Sequence, residues 1–141
     1  MRKDNDIAIA SAMYGIAANL TSLGSIFHKR FGIPIPCEEF STSNLKINKK
    51  KAQMMKNAKN IFAGQVSMMH CHQLSCLNRF FMELMASDDD MRGKLVVLMG
   101  EYWQILSVVI FGGKERILEA TIEKNELIIN LQTFTLMRIC E

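Results

Sequence analysis

The stretch MKNAKNIFAGQVSMM, residues 55–69, sets the class of fold. Within it Met55, Ala58, Phe62, Val66 and Met69 recur near the 3.6-residue period, and Leu74, Leu77, Phe81 and Leu84 carry the pattern on. This periodicity predicts helix from about residue 45 to 86. Ser41, Thr42, Ser43 and Asn44 are N-cap candidates just before it. One straight helix of that length is out of proportion to a small domain, and Gly64 is the natural place for a break.

Upstream, Ile9, Met13, Ile16, Leu20, Leu23 and Phe27 follow alternating steps of four and three, a heptad seam. Ala8, Ala12, Gly15, Asn19 and Ser22 run beside it and would let a second helix approach closely. The seam predicts a core helix that could also pair with a second copy of the chain. That helix should end near Gly32, because Ile33-Pro34-Ile35-Pro36 cannot continue it. Residues 7–27 carry no charge, long enough for a bilayer, but Asn19, Thr21, three serines and two glycines dilute them. Asp4 and Asp6 spoil the positive start of a signal peptide. The expectation is a buried helix in a soluble, cytoplasmic protein with no membrane partner.

Downstream, Ser87-Asp88-Asp89-Asp90 reads as a helix start, with carboxylates that complement the dipole. Leu95 to Phe111 is nearly all apolar, and Leu118, Ile122, Asn125, Ile129, Gln132, Leu136 and Ile139 keep a heptad phase. Two helices joined at Gly112-Gly113 account for this. An antiparallel meander with turns at Gly112-Gly113 and Lys124-Asn125 is the competing reading. The strong helix formers between Lys114 and Glu126 favour helices. The predicted fold is an all-α bundle of four to five helices in a single domain, 1–141. The alternative is α+β, with an N-terminal helical half and a C-terminal antiparallel meander.

The 141 residues are 49% hydrophobic, so a packed core rather than disorder is expected. Eleven methionines suit apolar stripes that repack against varied partners. Four cysteines in a chain that needs no staples read as reduced thiols. The densest polar cluster is Met68-Met69-His70-Cys71-His72-Gln73-Leu74-Ser75-Cys76. On a helix His72 and Cys76 share a face and could act as a thiol or metal sensor. His70 would point about 200° away from His72. Two ligands do not close a zinc site, so neither metal nor cofactor is expected. A Cys–His nucleophile lacks an orienting third group. There is no Gly-rich phosphate loop, no His-Glu-x-x-His and no Gly-x-Ser-x-Gly, which argues against an enzyme.

Charge is uneven. Residues 1–86 hold 11 basic and 5 acidic side chains, a net of +6, and residues 87–141 hold 6 and 9, a net of −3. Lys46, Lys49, Lys50, Lys51, Lys56 and Lys59 have no acidic residue between them. On one helix Lys46, Lys49, Lys56 and Lys59 form a stripe that fits an acidic protein partner. As an alternative, the stripe neutralises phosphates in a nucleic-acid-binding regulator, though without arginine or interleaved aromatics to read bases. The expected function is a non-enzymatic protein–protein interaction factor, an adaptor, regulator or chaperone-like protein, with a homo-oligomer formed through the N-terminal seam.

Overall fold

A computed structural model describes residues 7–19, 24–91, 93–101 and 113–135. Among these residues it has a four-stranded, wholly parallel sheet with helices between the strands. In chain order the elements are β1 (Ile7–Ala12), α1 (Gly15–Asn19), β2 (Ser25–Ile26), α2 (Phe27–Phe31), α3 (Lys50–Asn57), β3 (Ala58–Gly64), α4 (Cys71–Met85), β4 (Leu95–Met99), α5 (Lys114–Glu119) and α6 (Glu126–Ile129). Short 3-10 turns occupy Val66–Met68 and Ile122–Lys124. The spatial order is β2-β1-β3-β4. Ile9 pairs with Ile61 and Ser11 with Ala63, while Ile61 pairs with Val96 and Gly64 with Met99.

This α/β architecture overturns the all-α expectation and its α+β alternative alike. The physical cause lies in the strands themselves. β1 and β3 each have a strand on both sides, and a parallel strand enclosed by other elements is apolar along its length rather than alternating. A short apolar run of that kind cannot be told from a buried helix by periodicity. Ile7–Ala12 therefore passed for the start of a helix, and Ala58–Gly64 for the middle of one. The N-terminal heptad is not a helical face. Ile9 lies on β1, Met13 just beyond it, Ile16 on α1 and Phe27 on α2. Leu20 and Leu23 lie outside the described residues. The acidic run 87–90 starts no helix: the chain turns there and enters β4. No antiparallel meander occurs among the described residues; Lys114–Glu119 is helical.

The core gathers Ile9 and Ile61 from the sheet, Phe27 and Phe31 from α2, Met55 from α3, and Leu74, Leu77, Phe81 and Leu84 from α4. Phe27, Phe31, Phe81 and Phe80 form a chain of ring contacts at 5.0, 6.2 and 5.4 Å that ties α2 to α4. Gly32 ends α2 at φ 64°, where a Cβ would stand 2.7 Å from Leu45 Cγ. Lys94 closes the other end of the core. Its ammonium donates to the carbonyls of Met55, Lys56 and Ala58 at 2.9, 3.1 and 2.7 Å, and lies 5.2 Å from the Phe81 ring centre. Burial lowers its pKa. No helix among the described residues is long and apolar enough to cross a membrane.

Candidate functional site

Strand order fixes where a ligand would sit. The chain moves from β1 to β2 in one direction and from β3 to β4 in the other. The reversal falls between β1 and β3, and a crevice opens beyond the carboxyl ends of strands at such a point. The residues there are Met13 and Tyr14 after β1, Gly64 and Gln65 after β3, and Gly100 and Glu101 after β4. The Met13 N–H donates to Gly64 O at 3.3 Å and holds the two central ends together.

Each residue at this edge has a local reason for its place. Tyr14 is 49% exposed, and its carbonyl accepts from Ala18 N–H at 3.0 Å, fixing the first turn of α1. Gln65 has φ 57° and ψ 38°, a left-handed conformation that costs a side-chain-bearing residue roughly 1–2 kcal/mol. Strain of that kind collects at functional sites. A Cβ on Gly100 would stand 3.0 Å from Ser67 N and 3.1 Å from Val66 Cγ2, so the bare backbone lets β4 close onto the turn after β3. Gln65 Oε1 and Ser67 Oγ are buried with no hydrogen-bond partner among the described residues. Gln65, Met99, Gly100 and Glu101 line a cleft of about 370 Å³.

These residues do not make a grip for a magnesium nucleotide. Such a grip uses a loop of glycines with Lys and Ser or Thr for the phosphates, and an Asp for the metal. The sequence contains no Gly-x-x-x-x-Gly-Lys-Ser/Thr, and β3 ends in Ala63-Gly64, followed by Gln65, with no carboxylate. What the edge offers is an exposed aromatic face, unpaired amide and hydroxyl oxygens, and open backbone.

The residues singled out in the sequence are placed differently. Lys46 and Lys49 lie in the loop before α3, Lys56 on α3 and Lys59 on β3. All four are exposed, but they share no single helix face, because α3 stops at Asn57. Lys56 and Lys59 flank the start of β3 and so lie at the sheet edge opposite Gln65. His72 and Cys76 both lie on α4, with Cys76 buried against the core. Cys76 is hydrogen-bonded to Cys37, whose thiol is lowered to about 7 by that bond, with help from Ser41 and Arg79. Sequence reasoning passed over Tyr14, Gln65 and Gly100. The available signal was an apolar run broken by glycine, twice: Ile61-Phe62-Ala63-Gly64 and Val96-Val97-Leu98-Met99-Gly100.

A model of the PIF1-like helicase family matches residues 1–140. No curated protein matches the sequence. Among solved structures, the Pif1 helicase from Bacteroides in complex with ADP-AlF3 and ssDNA superposes with a TM-score of 0.75 at 21% identity, over 89% of this chain and 30% of that one. Bacteroides Pif1 bound to ssDNA gives 0.67 at 26% identity, over 83% and 26%. The Pif1 helicase from Candida albicans gives 0.65 at 18% identity, over 86% and 27%. The chain thus spans under a third of the length of these proteins. A family of nucleic-acid-acting enzymes overturns the expected non-enzymatic adaptor, and with it the expectation that the protein is no enzyme. The expected protein partner falls as well, since the solved relatives hold single-stranded DNA. The expectation of no enzyme rested on missing short motifs, whereas the family match is carried by the pattern of the whole chain rather than by any one of them. With all but one residue matched by the family model, the chain belongs to the PIF1-like helicases.

Proposed function

We propose that this chain acts on single-stranded nucleic acid as part of an ATP-driven helicase, and that the strand lies across the carboxyl edge of the sheet. One observation carries the placement: the reversal of strand order falls between β1 and β3, whose ends are paired at Ala12 and Gly64, so that the segments carrying Tyr14 and Gln65 both leave the sheet at the mouth of the crevice. Tyr14 offers a ring on which a base stacks regardless of sequence. Gln65 and Ser67 offer oxygens for sugar hydroxyl or base N–H groups. ATP-driven movement needs a phosphate grip that these residues do not hold, so the role assigned to them is contact with the nucleic acid. Lys46, Lys49 and Lys56 would add long-range attraction for phosphates without fixing the strand.

The test is fluorescence anisotropy with a labelled oligothymidine at low salt. Binding that weakens with added salt is expected. Tyr14→Ala should lose about 1–3 kcal/mol, roughly 5- to 150-fold in affinity, and Tyr14→Phe should retain it. A chain that does not hold the oligonucleotide at low salt, or a Tyr14→Ala variant that binds as wild type, would defeat the reading.

A further inference from the structure

The beginning of α4 carries a second, unrelated constellation. His70 is the N-cap of the helix, with extended backbone at φ −71° and ψ 138°. Had residue 70 been helical, its ring would point away from His72. Because it is extended, the ring folds back over the first turn, and the two imidazole centres lie 4.6 Å apart. Cys71 Sγ sits 3.7 Å from His70 Nδ1 and 3.7 Å from His72 Nδ1. The three donor atoms all lie within 4.8 Å of one another. With Zn–S about 2.3 Å and Zn–N about 2.0 Å, the S···N edge of a tetrahedral site is about 3.5 Å. The two S···N edges therefore need a change of only a few tenths of an ångström, and rotation of the imidazoles brings their nitrogens together from a separation of at most 4.8 Å.

The surroundings hold this arrangement in place. Cys71 N–H donates to Ala120 O at 2.9 Å, and Asn125 Nδ2 donates to Cys71 O at 2.7 Å and Ser75 Oγ at 2.8 Å. Cys71 and His72 face a cleft of about 440 Å³ that reaches Glu39, Asp90 and Glu126. An ion can enter that way, and water or a carboxylate can take the fourth position.

We propose that His70, Cys71 and His72 bind a Zn²⁺ ion through two imidazole nitrogens and one thiolate, with the fourth position open to the cleft. This site is independent of the nucleic-acid reading. Nitrogen and sulfur donors select a borderline cation such as zinc over magnesium or calcium. Binding converts Cys71–SH and Zn²⁺ into a thiolate complex and releases one proton. His70 Nδ1 now accepts from His72 N–H at 3.2 Å, and binding exchanges that cap bond for the metal.

Cobalt(II) is the probe. Titration of the reduced protein should give an intense thiolate-to-cobalt charge-transfer band with tetrahedral d–d bands, and Zn²⁺ should abolish both. One proton should be released per ion at neutral pH. Cys71→Ser should lose the charge-transfer band, and His70→Gln or His72→Gln should weaken binding by more than the roughly 10–100-fold typical of an outer-shell loss. Cys37→Ser and Cys76→Ser should leave the band intact. Circular dichroism checks that each variant folds. If Cys71→Ser does not fold, Cys71→Ala, which removes the sulfur without placing a hydroxyl in the buried site, takes its place. A wild type without the band, or a band that survives loss of the Cys71 thiolate, overturns the proposal.

Discussion

Single residues carry the sharpest tests. Asn125 is only 6% exposed, and its amide is fully used: Oδ1 accepts from Leu127 N–H at 3.0 Å, and Nδ2 reaches Cys71 O and Ser75 Oγ. From sequence this residue stood either inside a helix or in a tight turn. It is neither, but the N-cap of α6 at φ −77°. Asn125→Leu strands the Cys71 carbonyl and removes the cap, and should cost about 1–3 kcal/mol in a melting experiment. Gln132, its partner in the expected heptad, is exposed. Ala86 ends α4 at φ 49°, where glycine has no Cβ penalty, so Ala86→Gly should stabilise by about 1 kcal/mol. Gln65→Gly should likewise raise the melting temperature while weakening oligonucleotide binding, since the strain relieved there belongs to the binding edge. Alkylation of Cys37 should rise steeply as pH passes about 7, because its hydrogen bond from Cys76 favours the thiolate. Cys71, raised by burial, should react only at higher pH. Equal rates for the two at neutral pH would contradict this.

At the scale of elements, some features were legible in the sequence and others were not. The stop at Gly32 was readable because proline follows and glycine tolerates positive φ. Helix α4 was readable because Leu74, Leu77, Phe81 and Leu84 have one buried face and one face toward water. β1 and β3 were not, because Ala8, Ala10, Ala12, Ala58 and Ala63 favour helix, and enclosure by neighbours removes alternation. The site was illegible for the same reason: it is defined by strand ends, and the strands were missed. His70 and His72 were judged apart by helical geometry, which one non-helical residue cancels. Two elements yield further tests. Lys94 caps the carboxyl end of α3 and reaches β3, so Lys94→Met should cost about 2 kcal/mol in urea unfolding, although its aliphatic stem would still pack. Reversing Lys46, Lys49 and Lys56 to Glu should weaken oligonucleotide binding and flatten its salt dependence, with no loss of fold. An unchanged slope would confine the contact to the carboxyl edge.

For the whole molecule, the order β2-β1-β3-β4 bears on how the protein is made. Ile7 aligns with Ala58, and Ala12 with Gly64, about fifty residues later in the chain. As the polypeptide emerges from the ribosome, β1 has only the two residues of β2 to pair with until residue 64 is synthesised. For that interval an apolar strand shows open hydrogen-bonding edges to other chains. Distant pairings close late because the loop entropy precedes the reward, so folding should be slow for the protein's size. Molecular chaperones that shield apolar strands during translation would then determine the soluble yield more than the stability of the finished fold does.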